Sequence, residues 1–188
     1  MGVDRREQIL GAAYEIVGSD GLEGLHARSV AAKVGINHAA VHYYYPKRID
    51  LLVAVTGYAV ARFSKDREKL LSFATTPTAR IEAHLAQSEV YCKPNSRFLK
   101  NWTSYFVAAI VEEPIRRALT EHLQDWCGVV AADIAEGSKT GAVRKASPFV
   151  NSELLVASLL GLMLMSLTLG ESFDAGERLD LIAGSLLS

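Results

Sequence analysis

Between Gly24 and Ile49 the chain carries four side-chain cations (Arg28, Lys33, Lys47 and Arg48), three histidines (His26, His38 and His42) and no Asp or Glu. Among them stand Ser29, Asn37, Tyr43 and Tyr44, with the small residues Ala39 and Ala40. Cations hold phosphates. Hydroxyl, amide and imidazole groups reach base edges, and small residues let a backbone come close to them. That mixture is the chemistry of a surface for nucleic acid. The whole chain of 188 residues is nearly neutral, at a formal charge of −1, so the positive character is local to this stretch.

Two short helices and a tight turn are needed to present such a surface. The run 29–34 is a good helix former, with Val30 and Val34 four apart on one face. Gly35 sits where a helix must stop, because glycine enters the left-handed region without a Cβ clash. Ile36 plugs the turn and Asn37 is a strong N-cap. The next helix, 38–44, is about two turns long by its spacing. Its Val41 points inward, leaving His38, Ala39, Ala40, His42, Tyr43 and Tyr44 as an outer face. Pro46 ends it, and Lys47 and Arg48 begin the following helix, where backbone N–H groups already favour a phosphate. A helix-turn-helix places its second helix in the DNA major groove. The candidate DNA contacts are therefore Arg28, Ser29, Asn37, His38, Ala39, Ala40, His42, Tyr43, Tyr44, Lys47 and Arg48. The alternative is a small helical hairpin with a solvated basic face.

Ahead of this unit, Ile9, Leu10, Ala13, Ile16 and Val17 recur at helical spacing over 5–18, with Gly18 and Gly21 bracketing the end of the helix. Leu22 and Leu25 are placed to cover a small three-helix core. The opening MGVDRR is too short and too charged for a signal peptide and lacks the Ser or Thr of a myristoylation signal.

Taken together, residues 5–55 resemble the N-terminal domain of the TetR family of one-component transcriptional regulators. The matching features are the opening helix with its GLEGL exit, the R-x-V-A-x-x-V-G-I-N core, and the three aromatics before Pro46 that lead to a basic residue and Leu51-Leu52. Three positions depart from the family pattern. His26 stands where Thr or Ser mostly caps the second helix, His42 where a phosphate-contacting Tyr mostly stands, and Arg48 replaces the commoner Lys. Histidine titrates near neutrality, so the first two departures lead us to expect pH-sensitive DNA binding. The resemblance implies a homodimer on a palindromic operator of double-stranded DNA. It also implies repression as the default mode and release by a small molecule.

Composition agrees with an all-α protein. Apolar residues make up 49% of the chain and prolines number five, and no segment alternates as a half-buried strand does. About nine helices are expected: a helix-turn-helix DNA-binding domain over 1–48 and a helical effector-binding and dimerisation domain over 49–188. Turn signals place further helices at 50–74, from 79 to about 91, from about 96 onward, from Pro114 to about 136, at 151–169 and at 175–187. Lys93-Pro94-Asn95 breaks the chain between two of them, and Gly137, Gly141 and Pro148 mark a loop. The run 154–169 is almost wholly apolar, a little short for a membrane span, and must be buried all round. In the family the last two helices of each subunit pair about a two-fold axis, so the resemblance makes helices 151–169 and 175–187 the expected homodimer interface of a cytoplasmic protein, with no membrane as partner.

Aromatic residues concentrate in the middle helices. The family encloses its effector there, so the resemblance makes Tyr58, Phe63, Trp102, Phe106 and Trp126 candidates for contact with an apolar or aromatic effector. His84, Gln87 and Tyr105 would orient its polar end. Aromatics at helical spacing are also ordinary core. Cys92 and Cys127 make no metal or redox spacing, the five histidines form no zinc constellation, and no cofactor is implied. No nucleophile elbow, phosphate loop or paired-carboxylate pattern points to an enzyme. The competing function is a dimeric ligand-binding or protein-interaction module whose head no longer binds DNA.

Overall fold

The structure is a computed structural model and describes residues 4–93 and 96–188. The expectations on residues 1–3 and on Pro94-Asn95 lie outside the described residues. Nine α-helices are found among those residues: α1 (Arg5–Asp20), α2 (Ala27–Val34), α3 (His38–Tyr44), α4 (Arg48–Leu71), α5 (Pro77–Tyr91), α6 (Arg97–Val111), α7 (Glu113–Thr140), α8 (Ser152–Leu169) and α9 (Ala175–Leu186). No strand occurs among them. One isolated antiparallel bridge pairs Val143 with Leu187. The chain divides into two compact units, the first running to Phe63 and resuming over Arg97–Thr120, the second comprising Ser64–Ser96 and Glu121–Ser188.

In the first unit α1 packs against α2 and α6, and α2 against α3. Ile9, Ala13, Ile16 and Val17 of α1 are buried with Leu25, Val30, Val41, Leu51, Leu52 and Val55. Apolar burial of this kind contributes about 25 cal/mol per Å². Asp4 caps α1, accepting from Arg6 N–H at 3.1 Å. The helix passes through Gly18 and ends two residues later, and Gly21, at φ +69, closes it. The end thus falls between Gly18 and Gly21, and Gly18 has a packing role besides. A Cβ there would meet the stem of Arg97 and lie 2.6 Å from Asn101 Nδ2, both on α6. Asn101 cannot swing away easily. Its Nδ2 donates to the Arg97 carbonyl at 2.9 Å, and its Oδ1 accepts from the buried Tyr105 hydroxyl at 2.9 Å. Glycine is what lets α1 and α6 approach.

In the second unit α5, α8 and α9 pack on one another. Pro77 opens α5 behind Thr76, whose hydroxyl accepts from Ala79 N–H at 3.1 Å. On α7 the proline takes the second helical position, behind Glu113. That helix runs on past Gly137 to Thr140, and Gly141, at φ +78, ends it. Gly137 is therefore not a loop residue. It is buried inside α7, where a Cβ would stand 2.6 Å from Val143 Cγ2.

Asn151 caps α8 and Asp174 caps α9 through their side-chain oxygens. Leu155, Val156, Leu159 and Met163 of α8 face the interior of the unit, while Leu154, Leu164, Met165 and Leu169 are exposed. The segment Ser152–Ser172, with a mean hydropathy of 1.9, is long and apolar enough to cross a membrane by length and composition.

Candidate nucleic-acid interface

The helix-turn-helix is assembled by local chemistry. Ser29 Oγ accepts from His26 N–H at 3.2 Å and lies 2.6 Å from the Gly24 carbonyl, to which it donates, fixing the start of α2. Gly35 ends α2 at φ 75, ψ 37, the left-handed cap expected of it. Asn37 Oδ1 accepts from Ala39 N–H at 2.9 Å and starts α3. Val41 is fully buried beneath α3, while His38, Ala39, His42 and Tyr43 are exposed and Ala40 and Tyr44 are half-buried. Tyr43 is 80% exposed, a large aromatic held out to solvent at the crest of the helix. The His38 and His42 rings stand edge to face, with centroids 6.2 Å apart.

Beside α3 lies an open groove of about 600 Å³. His26, Arg28, His42, Lys47 and Arg48 line it, and Leu25, Val41 and Leu51 form its apolar floor. Asp50 Oδ2 accepts from Lys47 N–H at 2.9 Å, which closes the first turn of α4 and sets Lys47 and Arg48 at the helix N-terminus. Cations, imidazoles and a helix start therefore converge on one concave surface, an arrangement that suits phosphate oxygens.

Several of the candidate contacts also have structural duties. Arg48 Nη2 donates to the Leu22 carbonyl at 2.7 Å, bracing the turn that precedes α2. Tyr44 lies under the Arg6 guanidinium at 5.7 Å. Ser29 is engaged as described above. Lys33, counted in the positive stretch, pairs with Glu15 of α1 at 2.9 Å and holds that carboxyl below its usual range. Sequence reasoning missed Tyr45, which lines the groove and whose phenol is pushed up by burial. Its signal was the third aromatic immediately before Pro46.

The effector candidates fall into two groups. Tyr58, Phe63, Trp102, Tyr105 and Phe106 lie in the first unit. There Phe63 stacks on Phe98 at 5.5 Å and meets Trp102 edge-on at 5.6 Å, with Phe106 5.8 Å beyond Trp102. The Tyr105 hydroxyl is bonded to Asn101 inside this unit, and burial raises it well above the ordinary phenol range. Tyr58 packs edge-on against Tyr14. His84, Gln87 and Trp126 lie in the second unit and are all buried. Among the described residues, no cluster of three or more His, Cys, Asp or Glu side chains could hold a metal ion.

No family model matches the chain. Over 115 residues it is 24% identical to the HTH-type transcriptional regulator BetI of Brucella canis, covering 61% of this chain and 58% of that protein. The match therefore spans little more than half the length of the curated relatives. Among solved structures, a TetR transcription regulator from Haloarcula marismortui superposes with a TM-score of 0.85 at 22% identity, over 98% of this chain and 99% of that one. A transcriptional regulator from Saccharomonospora viridis in complex with choline superposes with a TM-score of 0.84 at 17% identity, over 97% of each chain.

Proposed function

We infer that this chain, which has the all-α fold of the TetR-family regulators, is a DNA-binding transcriptional regulator. It binds a palindromic operator as a homodimer, represses, and lets go when a small apolar or aromatic effector binds. The observation that carries this reading is the short helix α3. It is held out from a helix-turn-helix with small and hydrogen-bonding residues on its open face, beside a groove lined by cations and histidines. Small residues give access to base edges, while Arg28, Lys47 and Arg48 neutralise phosphates on either side.

The head over 1–48 supplies the DNA contacts, and 49–188 supplies effector binding and dimerisation. The exposed stripe of α8 supports the second assignment. Leu154, Ala157, Gly161, Leu164, Met165 and Leu169 recur at helical spacing and all are exposed. Large residues flank small ones, a pattern that allows a second helix to pack closely. A two-fold copy of α8 and α9 covers the stripe, gives two heads and so requires two half-sites. Covering it this way keeps the apolar helix out of a bilayer and the protein in the cytoplasm.

The test is a selection from genomic fragments with the full-length protein, followed by affinity measured against salt. A recovered palindrome whose binding falls steeply with salt supports the reading. Enrichment of no sequence, with weak binding at low salt only, sinks it.

A further inference from the structure

The interior of the second unit holds polar groups that its own side chains leave unsatisfied. His84, Gln87 and Ser88 of α5 are all buried. Ser88 is accounted for, since its hydroxyl donates to the His84 carbonyl at 3.0 Å. Gln87 is different: its amide nitrogen and oxygen are both buried and neither has a partner among the described residues. His84 is half satisfied. Its Nε2 lies 3.2 Å from Asp133 Oδ2 on α7, while its Nδ1 is buried with no partner. Buried polar groups are nearly always hydrogen-bonded, so two such neighbours on one helix face need an explanation.

The charge of Asp133 follows from its surroundings. Burial alone would raise the Asp133 carboxyl, but hydrogen bonds from His84 and Arg80 outweigh it and hold the group below its usual range. Arg80 Nε donates to Asp133 Oδ1 at 2.6 Å, and its Nη2 reaches Glu136. An ionised Asp133 only accepts, so Nε2 of His84 carries a proton and donates. In the neutral ring this fixes the tautomer and makes Nδ1 an acceptor. Arg80 is shared between Asp133 and Glu136. With its ring neutral, His84 offers an acceptor, and Gln87 on the same turn of α5 offers a donor and an acceptor, beside two carboxylates that share Arg80.

The helices also set what lies opposite. Pro77 stands beside Gly137, and Arg80 and His84 meet Asp133, so α5 and α7 run antiparallel. Gln87, a further turn along α5, comes level with the part of α7 between Asp133 and the buried Trp126.

We propose that His84 and Gln87 are the polar end of the effector site and select a neutral molecule bearing a carboxamide or lactam on an apolar body. This rests on the reading of the protein as an effector-controlled regulator. An amide edge presents N–H and C=O side by side. Its carbonyl accepts from Gln87 Nε2, and its N–H donates to Gln87 Oε1 or His84 Nδ1. A carboxylate can donate to neither and brings a second negative charge beside Asp133. A quaternary ammonium offers no N–H at all. A site built on paired hydrogen bonds rejects analogues that leave them unmade.

The test uses three probes that share one aromatic body: benzamide, benzoate and benzyltrimethylammonium. Each is titrated into the full-length protein, with thermal midpoint and the side-chain amide NMR signal of Gln87 as readouts. Benzamide is expected to raise the midpoint and shift that signal, with the two charged probes at least about tenfold weaker. Gln87→Met, which keeps the shape and removes the amide, is expected to weaken benzamide by about tenfold or more. Its own ligand-free midpoint should equal or exceed the parent's, because a buried unpaired amide is removed. Equal binding of the three probes, or no benzamide binding up to its solubility limit, overturns the proposal. So does a Gln87→Met variant that melts lower with benzamide affinity intact, or fails to fold, since either marks a structural amide. Operator DNA separates the two levels. Release by benzyltrimethylammonium but not benzamide upholds the regulator and overturns this site chemistry. Benzamide binding at Gln87 with no change in DNA affinity upholds the site and overturns effector control.

Discussion

Lys47 makes the simplest residue-scale case, because it is exposed at the start of α4 and lines the groove. On the proposed reading it contacts phosphate, not a base. Lys47→Ala should then weaken binding to every DNA sequence alike and lower the salt slope by about one. Fluorescence anisotropy at several salt concentrations measures both, and a loss confined to the operator would argue for base contact instead. His122 carries a prediction about acid. Burial, and then the positive charge of Arg67, lower its pKa from 6.5 to about 4. The unfolded chain therefore takes up a proton that the folded chain refuses between about pH 6.5 and pH 4. The contribution is fully present above the upper value, falls as pH drops through the window and is constant below it. Urea midpoints should decline across that window in the parent and decline less in His122→Gln. Parallel curves for the two proteins would remove His122 as the cause. Neither the burial of His122 nor the pairing of Lys33 with Glu15 was legible in the sequence, because both depend on which faces of separate helices meet.

Most of the elements could be read in advance. Gly35, Asn37 and the aromatic run before Pro46 placed α2 and α3, because caps and terminators act within a few residues of chain. The expected all-α class and the resemblance of the head to TetR-type regulators agree with the fold and with the solved structures it superposes on. The end of α7 was misjudged. Gly137 was read as marking a loop, whereas it sits inside α7 at a close approach of Val143, much as Gly18 sits inside α1 against Arg97 and Asn101. Tertiary packing sets their role, and a glycine in one sequence does not reveal which role it has. A prediction at this scale concerns the cap of α3. Removing the Asn37 oxygen with Asn37→Ala should cost about 1 kcal/mol. Amide exchange should quicken through α3 before it does in α1, and protection unchanged in α3 would show that packing of Val41 alone maintains the helix.

For the whole molecule the exposed apolar stripe of α8 is the decisive feature. The hydrophobic run was plain in the sequence, but which side remained uncovered was not, since its residues are apolar all round. If a second copy covers the stripe, Leu164→Glu places a charge in that interface. Sedimentation should then show a folded monomer, with operator affinity reduced to that of a single half-site. A variant that stays dimeric at micromolar concentration would place the interface elsewhere. The polar pair on α5 belongs to the same scale. His84 and Gln87 were legible as candidates for orienting a ligand, but Asp133, which fixes the imidazole tautomer, was not.

Gly18 has a further consequence, and it concerns inheritance. Any change in the first or second base of a glycine codon that does not create a stop yields a residue with a Cβ. At position 18 that atom runs into the stem of Arg97 and the pinned amide of Asn101. Single-nucleotide drift thus has no quiet missense exit from this codon, although the residue is buried away from the α3 surface. In a saturation library selected for repression, position 18 should be as depleted of variants as the residues that face DNA, and for a reason that involves no DNA.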